Sequence, residues 1–255
     1  MDLIMAGQGA GAFWVAVAVT LVAGFVKGAV GFAMPMIMIS AFSSFLPPDL
    51  ALAGLILPTL VTNLSQALRQ GIGPALATTA KFWRFLLAMA VFIIVSAQFV
   101  RVLPQPAMLL LLGVPITAYA AFNLSGRSPT LPLRHQRVAE WGLGVLGGLY
   151  GGVSGVWGPP LLVYLLSTGV PKLETVRALG VAFLLGAVTL LGAHIQTGLA
   201  NPASLGFSAA LVIPAQIGMS LGYALQDRLD QNRFRWWTQA VLIVMGLNLI
   251  RRALM

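Results

Sequence analysis

A pattern of glycine and proline occurs twice in this chain, and it constrains the fold more than any other feature. The four residues of the first copy recur 124 residues later with the same spacing, and both copies interrupt long apolar runs. Apolar segments broken at corresponding places in two halves of a chain are typical of a transporter's binding site. The pattern therefore predicts a duplicated membrane carrier. The first copy is Gly24, Gly28, Gly31 and Pro35, and the second is Gly148, Gly152, Gly155 and Pro159.

Composition indicates that lipid faces most of the surface. Only 8% of the 255 residues are Asp, Glu, Lys or Arg, and 58% are apolar. A soluble domain carries about 25% charged residues. We therefore predict an all-α integral membrane protein of about 8–10 helical segments, since each full span needs about 20 residues.

Several functional classes are excluded or disfavoured by what the sequence lacks. There is no Cys, so disulfides and thiolate metal sites are excluded. The two His residues have no carboxylate nearby in sequence to complete a zinc site. The net charge of +9 comes from bases in short loops, without the alternating aromatic residues of a nucleic-acid surface. We predict no enzyme activity, no cofactor, no metal and no nucleic-acid partner.

The two long apolar runs are too long for single helices. Run 11–46 would extend about 54 Å as one helix, whereas the hydrocarbon core is about 30 Å thick. We expect two helical pieces of about 14 residues, joined at the glycines in a hairpin that is re-entrant or fully spanning. Run 139–169 predicts the same hairpin again. The residues expected to break the hairpins are Gly24, Pro35, Gly148 and Pro159.

The polar stretch 125–137 is the one convincing linker. We predict residues 1–124 as a first transmembrane repeat and residues 138–255 as a second. A hairpin followed by about three further helices crosses the membrane an odd number of times, which makes the repeats inverted. The basic residues of loop 69–84 and of the linker place both in the cytoplasm.

The motifs GFVKGAVGFAMP and GGLYGGVSGVWGPP, as a pair, resemble the TauE/SafE family, also called the toluene sulfonate uptake permease family. The resemblance extends over essentially the whole chain. It implies a multi-pass carrier in the bacterial inner membrane, mainly an exporter, for small anions such as sulfite, sulfonates or sulfoacetate-like acids. Phe32 and Ala33 depart from the pattern, because family motifs commonly keep a glycine pair there.

An anion inside lipid needs donors, and the ends of broken helices supply backbone N–H groups and a favourable dipole. We expect one site near the midplane, between the two hairpins, with access alternating from side to side. The glycines could instead be packing notches between helices. The predicted substrate-binding residues are Lys27, Gly28, Gly31, Asn63, Gln66, Gly152, Ser154, Gly155 and Trp157, with Thr62 and Ser65 as further donors.

Lys27 is the sharpest single candidate, because a lysine in the bilayer centre costs at least about 2.5–3.5 kcal/mol. It is predicted to pair with the anionic substrate; the alternative is that its stem lies along the helix and its ammonium reaches the surface. His194 is the candidate for titration during transport, or else a satisfied packing residue.

Three other functions stay open at this point. An anion channel could have the same fold. A membrane-embedded hydrolase would need His194 and Ser154 as its Ser–His pair, and a non-transporting assembly subunit would bind no ligand. The expected partners are a small anionic substrate and the lipid bilayer, and we also consider a homodimer. The sequence does not name the anion or the coupling ion.

Overall fold

The structure, a computed structural model, describes residues 9–42, 44–97, 105–126, 136–154, 158–196 and 202–255. These residues form eleven α-helices and no strand, so the prediction of an all-α chain is confirmed. The helices are α1 (Ala10–Val30), α2 (Met34–Phe42), α3 (Pro48–Leu68), α4 (Ile72–Lys81), α5 (Trp83–Ala97), α6 (Gln105–Leu124), α7 (Gln136–Ser154), α8 (Gly158–Ser167), α9 (Lys172–Gln196), α10 (Pro202–Arg228) and α11 (Gln231–Leu254).

The number of helices exceeds the predicted range because loop 69–84 contains a helix of its own, α4. Pro74 lies in its first turn, where the missing N–H has no helical partner to lose. Ala75 and Thr78 point inward one turn apart and are buried. Packing of this buried face therefore stabilises a helix in a segment that the charge pattern predicts to be a loop.

The chain forms two compact units. The first contains residues 1–69 and 183–229, and the second contains residues 70–182 and 230–255. Each unit thus takes helices from both halves of the sequence, and α9 contributes to both units. The assignment of residues 1–124 and 138–255 as repeats, with 125–137 as a linker, stays a prediction.

Two helices are long and apolar enough to cross a membrane by themselves, α1 and the Ser204–Arg228 part of α10. Helices α4 and α5 meet at a bend of 77° and would make a third span if they were counted together. The surface of the described residues is rich in large apolar side chains, among them Trp14, Ile213 and Val244.

The first hairpin bends later than the glycine pattern predicts. Helix α1 continues through Gly24 and Gly28 and ends at Gly31, whose φ is 88°. Ala33 also has a positive φ, 80°, before α2 begins. The prediction of a break at Gly24 is therefore wrong: the arms have 21 and 9 residues instead of about 14 each. Pro35 is the second residue of α2 and does lie beside the bend.

Gly24 and Gly28 serve instead as packing contacts with α10. A Cβ atom at either glycine would come within 3.0 Å of backbone atoms of α10, at Ala215 and Met219. Such close approach needs residues without side chains, as in membrane helix pairs with the G-x3-G spacing. Helix α10 contributes the same spacing in return, with Gly218 and Gly222 against the backbone of α1.

The second unit repeats this arrangement. Helix α7 continues through Gly148 to Ser154, so a break at Gly148 is also wrong. A Cβ atom at Gly148 would lie 2.6 Å from the Met89 carbonyl oxygen of α5, which again explains the glycine by packing. Pro159 is the second residue of α8, as Pro35 is of α2. Residues 155–157, which join α7 to α8, lie outside the described residues.

Short helix α2 is held by one apolar face. Met34, Met38 and Phe42 are spaced four residues apart, so they lie on the same side of the helix, and all three are buried. They join the core of the first unit, where the rings of Phe42 and Phe207 lie 6.4 Å apart. In the second unit Phe85 stacks on Tyr164 with centroids 6.3 Å apart.

We expect Gly222→Ala to lower the Tm of the purified protein by an amount equivalent to about 1–3 kcal/mol, the usual effect of overpacking. The added Cβ atom would press on the α1 backbone at Phe25. Gly142→Ala is the matched control, because nothing lies within 4 Å of its Cβ position in α7. Equal Tm values for the two variants would contradict the packing role of Gly222.

Candidate functional site

Lys27 lies in the last turn of α1 and is buried, with 1% of its surface exposed. Its ammonium nitrogen Nζ donates hydrogen bonds to Thr62 Oγ1, at 2.8 Å, and to Asn63 Oδ1. Both acceptors belong to α3. The side chain is therefore enclosed by the protein and does not extend along the helix to the surface. This position speaks against the alternative that its ammonium reaches the surface.

Among the described residues, no carboxylate pairs with the lysine. In the part of the chain that the structure describes, every ion pair involves other residues. A buried charge without its counter-charge destabilises a protein by about 3–5 kcal/mol. The neutral oxygens of Thr62 and Asn63 compensate for only part of the lost hydration. A negatively charged ligand would supply what is missing.

The two residues that accept from the ammonium belong to a longer polar face of α3. Thr59, Thr62, Asn63 and Gln66 follow the spacing i, i+3, i+4, i+7, so they line one side of the helix. All four are at most 7% exposed. Thr59 is absent from the sequence-based candidates, although its spacing from the other three would have revealed it.

On this face, Thr59 Oγ1 and Asn63 Nδ2 are buried and have no hydrogen-bond partner among the described residues. A buried polar group left unsatisfied costs about 1–3 kcal/mol. The amide nitrogen is a donor, and the hydroxyl can donate as well. Together with the Lys27 ammonium, these groups offer donors to one acceptor-rich solute.

Other side chains satisfy the last carbonyl groups of α1. Gly31 N donates to Lys27 O at 2.7 Å, Gln66 Nε2 to Gly31 O at 2.9 Å, and Gln226 Nε2 to Ala29 O at 3.4 Å. A lysine in the last turn of a helix would otherwise be attracted to such carbonyls. Because they already have partners, the ammonium is directed to α3.

Pro58 shapes α3 just before this polar face. It has no N–H, so the carbonyl oxygen of Gly54 loses its helical donor. Ser208 of α10 replaces that donor: its Oγ donates to Gly54 O at 3.2 Å and accepts from Leu57 N at 3.0 Å. The carbonyl of Pro58 in turn accepts from Thr62 Oγ1 at 2.6 Å, which fixes the hydroxyl that receives the lysine.

The remaining sequence-based candidates fall elsewhere. Ser65 points to α10, where its Oγ accepts from Gln216 Nε2 at 2.6 Å, so it does not join the lysine. Gly28 contacts the α10 backbone and Gly31 forms the end of α1. Gly155 and Trp157 lie outside the described residues. Gly152 and Ser154 belong to α7 and His194 belongs to α9, but the structure describes only the backbone at these three positions.

Two helices are long and apolar enough to span a membrane, and the ammonium of Lys27 is buried against neutral groups of α3. These features are typical of an integral membrane protein with a polar site in its interior. The family model described as Sulfite exporter TauE/SafE matches residues 16–249, nearly the whole chain. The chain belongs to this family of membrane transporters, and the resemblance drawn from its two motifs is confirmed. No curated protein and no solved structure matches the chain.

We expect Asn63→Asp to raise the Tm and to weaken sulfite binding by at least about tenfold, or about 1.4 kcal/mol. The new carboxylate would give Lys27 an internal counter-charge and would repel an anion. The measurements are thermal unfolding and calorimetric titration with sulfite in detergent.

Asn123→Asp is the matched control for that variant. Asn123 is a half-buried amide on α6 whose Nδ2 donates to Tyr119 O at 2.8 Å, and no lysine is bonded to it. It should leave sulfite binding unchanged. A lower Tm for Asn63→Asp, with sulfite binding kept, would show that the lysine needs no negative partner.

Proposed function

We propose that this chain is a secondary transporter that moves small sulfur-containing or organic anions, such as sulfite, sulfonates or sulfoacetate-like acids, across the bacterial inner membrane. The proposed protein is multi-pass, works mainly as an exporter and uses alternating access. The family supports the transport of sulfite-like anions. The site around Lys27 supports a negatively charged solute.

The single observation that carries the proposal is the buried ammonium of Lys27 without a carboxylate among the described residues. A purely structural lysine would be expected to have an acidic partner, because buried charges are normally paired. Here the neighbours are neutral hydroxyl and amide groups of α3. This arrangement attracts an anion and repels metal cations.

The donors fit a small oxyanion. Sulfite and sulfonates each present three oxygen atoms, and the ammonium, the Asn63 amide and the Thr59 hydroxyl could each donate to one of them. Charge-assisted bonds of this kind are about twice as strong as neutral ones. Export of a monoanion also gains about 2.3 kcal/mol per 100 mV of inside-negative potential.

Repeated helix pairing supports the proposed duplication. In the first unit Gly24 and Gly28 of α1 contact Ala215 and Met219 of α10, so both helices run in the same direction. In the second unit Gly144 and Gly148 of α7 contact Phe85 and Met89 of α5, again in the same direction. Helices α1 and α7 carry the two copies of the glycine pattern. Their partners α10 and α5 each come from the opposite half of the sequence.

The direction of α3 supports a returning hairpin. Contacts of Lys27 with Asn63 and of Gly31 with Gln66 show that α1 and α3 run in the same direction. The chain between them must therefore come back to the level where α1 starts. Helix α2, at nine residues, extends only about 14 Å. A short returning arm of this kind is what the proposed inverted topology requires.

The test is sulfite flux from loaded proteoliposomes. We expect Lys27→Ala to lower the rate by at least about tenfold, since it removes the ammonium group of the proposed site, whereas Lys27→Arg should keep a measurable part of it. Lys81→Ala is the control, because Lys81 is half-exposed and pairs with Glu174 at 2.6 Å.

Full transport by Lys27→Ala would overturn the proposal. Single-channel currents carried by sulfite across a planar bilayer that contains the wild-type protein would instead indicate an anion channel of the same fold.

A further inference from the structure

The polar face of α3 continues past the lysine to the end of the helix. Arg69 comes three residues after Gln66, directly follows α3 and keeps helical backbone angles. Gln66 is buried, whereas the Arg69 side chain is 24% exposed. Asn63 precedes Arg69 by six residues, about 9 Å along a helix. One face of α3 therefore contacts the buried cation of α1 and ends at a second cation, Arg69, nearer the surface.

Arg69 is held entirely by α10. Its Nη2 donates to both carboxylate oxygens of Asp227, at 2.8 and 2.7 Å, and its Nη1 donates to Gln226 Oε1 at 2.6 Å. The guanidinium lies over the ring of Tyr223, with its central carbon 3.8 Å from the ring centroid. The planar group is thus oriented by a ring and an amide, and it presents its nitrogens to an oxyanion.

Two buried glutamine amides, one from α3 and one from α10, bond to the end of α1 between the two cations. Gln66 donates to the Gly31 carbonyl and Gln226 donates to the Ala29 carbonyl. Gln226 also accepts from Arg69, so it joins the arginine to the helix end that follows Lys27. The polar groups are therefore continuous from the buried ammonium to the exposed guanidinium.

We propose that Arg69 is a second anion-binding station on the transport path, and that the Asp227 carboxylate occupies this station when no solute is there. The inference rests on the proposed function, because it names a second site for the same solute. A carboxylate and a sulfite each offer a pair of oxygen atoms to a guanidinium. Sulfite displaces Asp227 from Arg69 and then reaches the Lys27 site at Asn63, about 9 Å back along α3.

Exposure makes this exchange easy. The Asp227 side chain is 55% exposed, so its carboxylate becomes hydrated when it leaves Arg69. A bidentate pair is stronger than most exposed ion pairs, but the hydration that an exposed carboxylate regains offsets much of the lost contact. The pair can therefore open without disturbing the packing of α3 against α10, which Ser208 and Gln216 also join by hydrogen bonds.

A purely structural pair and an occupied anion station predict different effects of substitution. If the pair only ties α3 to α10, Asp227→Asn and Arg69→Gln should change sulfite binding in the same direction. If Asp227 competes with the solute, Asp227→Asn should strengthen binding and Arg69→Gln should weaken it. The sign of the two effects therefore separates the explanations.

The experiment is calorimetric titration of the purified full chain with sulfite, together with flux from proteoliposomes. Asp227→Asn should lower the Kd about two- to fivefold, the range expected from an exposed ion pair, and should add a second bound sulfite per chain. Arg69→Gln should keep one bound sulfite and raise the KM for flux. Glu174→Gln is the control, since it also removes one carboxylate from an exposed ion pair, at 2.6 Å, and should change neither value.

The double variant Lys27→Ala with Asp227→Asn separates this inference from the proposed function. It should bind one sulfite, at Arg69, without transporting it. If Asp227→Asn binds one sulfite with the wild-type Kd, the second station is refuted and the Lys27 site stands. If Lys27→Ala alone transports normally, the proposed function fails whatever Asp227 does. Asp227→Ser removes the same charge and serves if the Asn variant does not fold.

Discussion

The unpaired positive charge of Lys27 is the constraint on which the first unit depends. An ammonium group in a protein interior has to be surrounded by acceptors, and here they come from two successive residues of α3. These acceptors lie on α3, which runs in the same direction as α1, so α2 leads the chain back between the two helices. The lysine therefore links α1 to α3 as well as providing the charge of the site.

The helix end around the lysine shows how a membrane protein keeps such a charge available. The carbonyl groups that end α1 would be natural partners for it, yet glutamine amides from α3 and α10 bind two of them. The carbonyl of Pro58 accepts from the hydroxyl of Thr62, and Ser208 donates to the Gly54 carbonyl that Pro58 leaves without a helical donor. These polar groups bond to one another. What remains available to a ligand is the ammonium of Lys27 and the donors Thr59 Oγ1 and Asn63 Nδ2.

Much of the fold and of the site could be predicted from the sequence, but the position of the bend could not. The all-α class follows from composition, the family from the paired motifs, and Lys27 stands out because lysine is costly in lipid. The exact bend could not be read, because a glycine that opens a turn and a glycine that admits a neighbouring backbone look alike along the chain. Gly24 and Gly31 belong to the same pattern, but only the partner helix α10 distinguishes them.

Thr59 and Arg69 were missed for a different reason. Each looks ordinary alone, a hydroxyl among apolar residues and a base at a helix end. Thr59 shares the helical periodicity of the polar face of α3, but only the fold shows that its hydroxyl is buried without a hydrogen-bond partner among the described residues. Arg69 depends on a partner on another helix, Asp227, which lies 158 residues away in the sequence.

The glycine contacts between α1 and α10 also limit how the first unit can move. With no side chains between them, the two backbones interlock at several successive turns, and sliding one past the other would drive carbonyl oxygens into neighbouring α-carbons. These contacts therefore resist sliding of the two helices within their unit. Helix α2 follows through two residues of positive φ, Gly31 and Ala33, and its buried Met34, Met38 and Phe42 hold this arm against the same core.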